Sequence, residues 1–153
     1  MADIIRVENV RKVYRLGRVE VPALRGVSVS VQEGEFVSIV GPSGCGKSTL
    51  LYIIGGLTRP SSGSVMVDGE EMGQMKDAQR TAVRRKKIGF IFQRFNLLPT
   101  LSAFGNIALA AEIASVKNGA IRSNLDSLVK LLGLEHRLKH HPGELSGGEQ
   151  RPT

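Results

Sequence analysis

The stretch GPSGCGKST at positions 41–49 constrains this chain more than any other part of its sequence. It matches the pattern G-x-x-x-x-G-K-[ST] and lies between an apolar run, FVSIV, and a helix-like run that begins at Lys47. Glycines let the backbone curl so that successive N–H groups point at one anion, and the following helix presents its positive end to the same anion. The stretch therefore predicts a loop that binds phosphate groups.

Each position of this loop has an expected role. Lys47 is predicted to reach the β and γ phosphates of a nucleotide, and the Ser48 hydroxyl to bind the Mg²⁺ that bridges them. The remaining residues would surround the phosphates; they are Gly41, Pro42, Ser43, Gly44, Cys45, Gly46 and Thr49. An ordinary glycine turn is disfavoured by the strand and helix flanks. Kinases, GTPases, helicases and transport ATPases share such loops, so the loop alone does not identify the reaction.

Composition narrows the class of protein. The chain has 153 residues, 41% of them apolar, which suits one domain of ordinary size. Its net charge of +7 is concentrated partly in RTAVRRKK at 80–87. Nucleic acid or an anionic membrane could use that run, although a solvated helix end is favoured. The single cysteine predicts a reducing compartment. We expect no secretory signal peptide and no membrane span, so any membrane contact would come through a partner.

The first part of the chain reads as strands around the loop. Residues 4–15 alternate apolar and polar side chains with a slip near Asn9, and ALRGVSVSVQEGEF predicts a second strand. FVSIV, at 36–40, predicts a central strand buried on both faces of a parallel sheet. A helix is expected at Lys47 to Ile54, ended by a glycine pair.

The rest of the chain becomes helical. SVMVDGE at 64–70 predicts a strand and hairpin turn, and a polar helix is expected at 74–87. IGFIF, at 88–92, predicts a short buried strand. From 100 to 134 the apolar spacing is helical, with Gly133 as the stop. The histidines His140 and His141 lack further ligands at metal spacing, so a solvated linker is favoured there.

A second glycine motif, LSGGEQ, follows at 145–150. Ser146 suits a helix N-cap, and the bare backbone N–H groups of Gly147 and Gly148, followed by Glu149, would suit a second anion contact. A flexible loop explains the same residues equally well. LSGGEQ therefore indicates a function only when it is considered together with GPSGCGKST.

Together, GPSGCGKST and LSGGEQ resemble the ATP-binding subunits of ABC transporters, whose signature L-S-G-G-Q/E follows a helical insert. The resemblance implies an α/β P-loop NTPase fold: part of the ATP-binding core at 1–93, a helical subdomain at 94–145 and the signature at 146–153, without the C-terminal part of the core sheet. It implies ATP and Mg²⁺ as cofactors. It also implies a head-to-tail dimer, in which the signature residues, Ser146 to Glu149, cap the phosphates held by the other domain.

Further positions carry the resemblance. Gln93, in IFQRFNLLP, fits the family's Q-loop glutamine, which contacts Mg²⁺ and the attacking water; a plain turn residue is the alternative. Tyr14, in KVYR, stands where the family places an aromatic that stacks on adenine; without the resemblance, packing would be preferred.

The phrases VPALRGVSVSV, GGLTRPSSG and FQRFNLLPTLSAFGNIAL resemble the branch that powers lipoprotein release and macrolide or peptide efflux. This implies a transmembrane permease partner, which Phe95, Leu97 and Leu98 would contact unless they fill a core. It also implies a cytoplasmic position at the membrane through that partner, and no nucleic acid partner is expected. The transported substrate is not indicated.

The chain departs from the family after its signature. Family members continue with a helix, an apolar run ending in Asp-Glu and a switch histidine, whereas this sequence reads EQRPT. SVMVDGE does not replace that run, because it precedes Gln93 and contains a turn glycine. We expect a chain of these 153 residues to bind ATP, to hydrolyse it more slowly than usual by at least about 10²–10⁴-fold, and to aggregate readily. A non-hydrolysing regulatory module and a soluble ATPase acting on nucleic acid are the alternatives.

Overall fold

The computed structural model describes residues 3–93, 96–113 and 127–146, and the chain divides into two units, Met1–Gly89 and Phe90–Thr153. The first unit contains a four-stranded antiparallel sheet in the order β2-β1-β3-β4. Its strands are β1 (Asp3–Leu16), β2 (Val19–Gln32), β3 (Ser62–Val67) and β4 (Glu70–Glu71). Its helices are α1 (Lys47–Ile54) and α2 (Asp77–Lys87). The predicted helix at Lys47 to Ile54 is confirmed.

The slip predicted in the first strand is a β-bulge at Asn9. Asn9 has a positive φ of 45°, and the register with β2 shifts between Val7 and Val10. The extra residue lets both valines face the core although they are three positions apart. The Asn9 N–H, displaced from the ladder, donates instead to Ser28 Oγ at 2.8 Å. The bulge therefore keeps β1 in the core on either side of it.

The core of the first unit forms where α1 packs against one face of the sheet. Leu50 and Ile53 of α1 are buried there against the strands. The buried cluster consists of Val7, Val10, Leu24, Leu50, Ile53, Val65, Val67 and Met72. Each such side chain contributes about 1.5–3 kcal/mol relative to an exposed one.

The predicted hairpin turn after SVMV is confirmed. Asp68 and Gly69 have φ values of 47° and 76°, as a two-residue hairpin loop requires, and they connect β3 to β4. The Asp68 carboxylate forms an ion pair with the Lys87 ammonium at 2.8 Å. This acidic residue is thus a turn residue, as the sequence indicated.

The two apolar strands predicted at 36–40 and 88–92 are wrong for the described structure. Neither segment is paired with a described strand, and Phe36, Val40 and Ile91 are 94%, 87% and 80% exposed. A strand needs neighbouring backbone to take up its N–H and C=O groups, and an apolar run does not supply that neighbour itself. The fold is mixed α/β as predicted, but the described sheet is antiparallel.

The second unit is helical in its described parts. It contains α3 (Ala103–Ile113), a helical stretch at 127–131 and two 3₁₀ turns, Glu135–Arg137 and Pro142–Glu144. Gly133 has a φ of 65°, and the N–H of Leu134 donates to the Val129 carbonyl at 2.9 Å, so the predicted helix stop is confirmed. Residues 114–126 of the predicted helical region lie outside the described residues.

Candidate functional site

The phosphate loop rests directly on β2. Gly46, the N-cap of α1, has a φ of 99°, and a Cβ added to it would lie 2.5 Å from the Ala23 carbonyl oxygen and 2.8 Å from Leu24 Cδ2. Only glycine fits a position that is both left-handed and this close to a neighbouring backbone. The second glycine of the motif therefore sets where the loop meets the sheet.

Lys47 folds back over the loop that precedes it. Its Nζ donates to the carbonyl oxygens of Gly41 at 2.8 Å and Pro42 at 2.7 Å, and lies 3.6 Å from Cys45 Sγ. Among the described residues no carboxylate forms an ion pair with Lys47. Its charge is held at the loop by neutral acceptors, so a phosphate would meet an uncompensated cation.

The start of α1 is equally open to an anion. The first turn of the helix carries no acidic residue, so no side chain of that turn neutralises the positive end of the helix dipole. Ser48 is exposed in that turn, Thr49 is half-buried, and Ser43 and Gly44 are exposed in the loop before it. The predicted phosphate-loop residues, Gly41 to Thr49, are thus brought together at one helix start.

Tyr14 lies on β1 close to the part of β2 that borders this loop. It is opposite Val21 on β2, and Lys12, two positions earlier, is opposite Leu24, which borders Gly46. Residues opposite one another share a face of the sheet. Tyr14 is 38% exposed, so part of this residue is open to a ligand.

Sequence reasoning missed Lys12. Its Nζ lies 5.0 Å from the centroid of the Tyr14 ring and donates to the Arg59 carbonyl at 2.7 Å. No motif marks either Lys12 or Arg59. The i, i+2 spacing of Lys12 and Tyr14 on a predicted strand was the one signal that could have linked them.

The remaining predicted residues belong to the second unit. Gln93 is an exposed bend residue that follows the stacked rings of Phe90 and Phe92, whose centroids are 5.3 Å apart. Ser146 is exposed and follows buried Leu145. Phe95 and the signature residues Gly147, Gly148 and Glu149 lie outside the described residues.

Leu97 and Leu98, which were predicted to contact a permease, are only partly exposed to solvent. Leu98 is 44% exposed and Leu97 is intermediate. The side chain of Asn106 ties this segment to α3: its Oδ1 accepts from the Leu98 N–H at 2.7 Å, and its Nδ2 donates to the Leu98 and Leu101 carbonyls at 3.2 Å each. The segment is therefore presented from a fixed backbone.

Several cations of the basic run on α2 are occupied within their own unit. Arg80 is buried and donates to Asp77 at 2.7 Å, Arg84 donates to the Gly56 carbonyl at 3.0 Å, and Lys87 pairs with Asp68. These contacts favour the structural interpretation of the run over a surface for nucleic acid.

Two kinds of feature are absent from the described residues. Over the ranges that the structure describes, no helix combines the length and apolar character of a membrane span. Within those same ranges, histidine, cysteine and carboxylate side chains form no group of three or more that could hold a metal ion, and this includes His140 and His141.

Comparison with known proteins identifies the family. The model of the family described as ABC transporter matches residues 24–153. An uncharacterized ABC transporter ATP-binding protein of Thermotoga maritima is 48% identical over 99% of this chain and 64% of its own length. The lipoprotein-releasing system ATP-binding protein LolD of Geobacter metallireducens is 44% identical over 99% and 67%. The macrolide export ATP-binding/permease protein MacB of Syntrophobacter fumaroxidans is 44% identical over 97% and 21%.

A solved structure agrees with these relatives. The ATP-binding cassette MJ0796, determined as a dimer in a post-hydrolysis state bound to ADP and Pi, matches with a TM-score of 0.85 and 41% identity over 95% of this chain and 65% of that one. The chain thus spans about two thirds of the length of the Thermotoga and Geobacter relatives. The family match, the identity over nearly the whole chain and the shared fold show that it belongs to the ABC transporter family, as an ATP-binding domain.

Proposed function

We propose that this chain acts in the ATP-binding subunit of an ABC-type exporter, in which ATP binding and hydrolysis drive transport by a membrane partner. The observation that carries the proposal is the loop at Gly41–Thr49, where no described carboxylate pairs with the Lys47 ammonium and the first turn of α1 carries no acidic residue. The names of the relatives LolD and MacB support the lipoprotein-release or macrolide-export branch.

In this proposal the loop backbone and Lys47 hold the β and γ phosphates, and Tyr14 stacks on the adenine. The exposed Ser48 hydroxyl suits Mg²⁺, which prefers oxygen ligands and takes most of the others from phosphates and water. The side-chain oxygen of Gln93 would be a further ligand and would orient the attacking water. Bound Mg²⁺ would neutralise charge that develops between the phosphates.

The partners follow from the same family. A permease subunit or domain would contact the segment that contains Leu97 and Leu98, and a second ATP-binding domain would pack head to tail so that Ser146 to Glu149 cap the first domain's nucleotide. The dimeric state of MJ0796 supports that arrangement. The protein would then lie at the cytoplasmic face of the membrane through its permease.

For a polypeptide of these 153 residues, we propose ATP binding with slow hydrolysis. The support is that SVMVDGE, which has the apolar-then-acidic look of the family's Asp-Glu run, forms a hairpin turn in which Asp68 pairs with Lys87. A positioned general base typically contributes about 10²–10⁴-fold to the rate.

The first experiment is calorimetric titration of the 153-residue chain with Mg²⁺ and a non-hydrolysable ATP analogue. We expect binding that Lys47→Ala weakens by at least about tenfold, which corresponds to about 1.4 kcal/mol. Lys86→Ala is the control, because Lys86 is an exposed lysine of α2 and its loss changes the net charge equally. Equal effects of the two substitutions would refute a specific role for Lys47.

Hydrolysis is measured separately, as phosphate release under single-turnover conditions. The slow-hydrolysis proposal is wrong if the 153-residue chain turns over at the rate of a LolD-type protein assayed beside it. That outcome would leave ATP binding and membership of the transport branch untouched.

A further inference from the structure

The Lys12 side chain covers one face of the Tyr14 ring. The two residues alternate on β1, and Lys12 Nζ lies 5.0 Å from the ring centroid. That distance is within the range of about 6 Å in which a cation is attracted to an aromatic face. A planar ligand that stacks on Tyr14 would therefore use the face that Lys12 does not cover.

A backbone carbonyl holds the Lys12 ammonium in place. Its Nζ donates to the Arg59 carbonyl at 2.7 Å. The Arg59 guanidinium donates in turn to the Met75 carbonyl at 2.9 Å and to the Asp77 carboxylate at 2.8 Å. Arg59, whose carbonyl accepts from Lys12, is thus itself held in place by the hydrogen bonds of its side chain.

The backbone beside Lys12 is restrained by the same segment, residues 59–61. The Ser61 N–H donates to the Arg11 carbonyl at 2.8 Å, and the Val13 N–H donates to Ser61 Oγ at 3.0 Å. These bonds lie immediately before and after Lys12 in the chain. Both its backbone and its ammonium are therefore fixed before any ligand arrives.

We infer that Lys12 is a positioning residue for the nucleobase, which acts by holding the Tyr14 ring in one orientation and leaving one of its faces open. The inference rests on the function proposed above and adds to it a residue that touches neither phosphate nor Mg²⁺. A ring that is fixed beforehand loses less conformational freedom when a ligand binds, so the gain appears as affinity for the base. Ligands without a base gain nothing from it.

The test compares two ligands in the presence of Mg²⁺ by calorimetric titration of the 153-residue chain: a non-hydrolysable ATP analogue and inorganic tripolyphosphate. We expect Lys12→Met to weaken binding of the ATP analogue about two- to fivefold and to leave the affinity for tripolyphosphate unchanged. Lys12→Arg should bind the analogue as tightly as the unmodified chain does, because a guanidinium also stacks on an aromatic face. Lys86→Met controls for the loss of one positive charge.

A double-mutant cycle separates positioning from general stabilisation. In a Tyr14→Leu background, Lys12→Met should produce no further loss, since no ring remains to be held. If Lys12→Met reduces the folded fraction seen by circular dichroism, Lys12→Gln replaces it, because glutamine keeps a donor without the charge.

Each contrary result has a distinct meaning. An equal loss of tripolyphosphate binding, a full Lys12 effect in the Tyr14→Leu background, or no effect on the ATP analogue overturns the inference and leaves phosphate binding by Lys47 intact. If Tyr14→Leu itself leaves the affinity for the analogue unchanged, the base does not stack on Tyr14. The inference about Lys12 and the stacking role of Tyr14 are then both wrong, whereas phosphate binding by Lys47 is unaffected. Failure of both ligands to bind the unmodified chain overturns the proposed function as well.

Discussion

The backbone of Gly46 lies against the backbone of Ala23, so closely that a Cβ at Gly46 would come within 2.5 Å of the Ala23 carbonyl oxygen. The contact joins the phosphate loop to β2 without any side chain between them. Because Ala23 precedes Leu24, a core residue, the position of the loop depends on how the sheet is packed.

Replacement of Gly46 by alanine should therefore disturb both stability and ligand binding. We expect a loss of about 2–4 kcal/mol in the free energy of unfolding, from the left-handed backbone and the overpacked contact together. Affinity for the ATP analogue should fall at least about tenfold. Denaturant unfolding and calorimetry measure the two quantities.

Gly34→Ala is the matched control for that substitution. Gly34 also has a positive φ, 77°, but no atom lies within 4 Å of the position of an added Cβ. It should cost only the backbone strain, about 1–2 kcal/mol, and leave ligand affinity unchanged. Equal losses in both variants would contradict the role assigned to the Ala23 contact.

Alkylation of Cys45 should block the loop. The thiol is exposed and lies 3.6 Å from Lys47 Nζ, so a maleimide adduct would fill the space beside the ammonium. We expect affinity for the ATP analogue to fall at least about tenfold, and bound nucleotide to slow the labelling. The modification is read by mass spectrometry and the binding by calorimetry.

The chain provides a clean control for this labelling, because Cys45 is its single cysteine. Cys45→Ser should bind the ATP analogue normally and should not respond to the maleimide. Labelling that proceeds at the same rate with and without nucleotide would place the bound phosphates away from Cys45.

The exposed apolar segment at 36–40 should cause self-association. Phe36 and Val40 are 94% and 87% exposed, and the segment has no described strand beside it. Open apolar backbone of this kind pairs readily with a second chain. Phe36→Ser combined with Val40→Ser should raise the protein concentration at which light scattering begins and change the free energy of unfolding by no more than about 0.5 kcal/mol.

Leu131→Ser serves as the comparison for that variant. Leu131 is 81% exposed but lies in a helical stretch, whose backbone is not extended for pairing with a strand. Its replacement should change the onset of scattering less. A similar improvement from both variants would show that total apolar exposure, and not the open segment, controls association.

The core beneath the loop should be sensitive to truncation. Ile53 is 1% exposed and packs between α1 and the sheet, so Ile53→Ala should lower the free energy of unfolding by about 2–5 kcal/mol. Leu51, on the same helix, is 49% exposed, and Leu51→Ala should cost much less. Denaturant unfolding gives both values, and comparable losses would mean that α1 packs differently from the structure.

Local features of the fold could be predicted because their causes are local. The bounds of α1 follow from an apolar helix placed between glycines, the bulge at Asn9 from a break in alternation, and the turn at Asp68 and Gly69 from residues that accept positive φ. The pairing of 36–40 could not be predicted in the same way. Its apolar pattern indicates a preference for burial, whereas burial itself depends on which distant segment lies alongside.

In the candidate site, too, some residues could be predicted from the sequence and others could not. The spacing of Gly41, Gly46 and Lys47 was sufficient to locate the phosphate loop, because the motif is contiguous and each position has its own physical requirement. Lys12 was missed because the contact that holds its ammonium, with the Arg59 carbonyl, spans 47 residues, and its spacing from Tyr14 belongs to no motif. Such contacts leave no periodic trace in a sequence.

The antiparallel arrangement of β1 and β2 also bears on how the first unit assembles. The two strands are joined by a tight turn at Gly17, so their pairing closes a short loop and requires little chain entropy. β1 is hydrogen-bonded on both sides, by β2 and by β3, whereas residues 36–40 are paired with neither. In hydrogen exchange, the amides in the middle of β1 should therefore be among the last of this unit to exchange with solvent and those at 36–40 among the first. That result would make the β1–β2 pair an early folding unit and the segment that leads into the phosphate loop a late one.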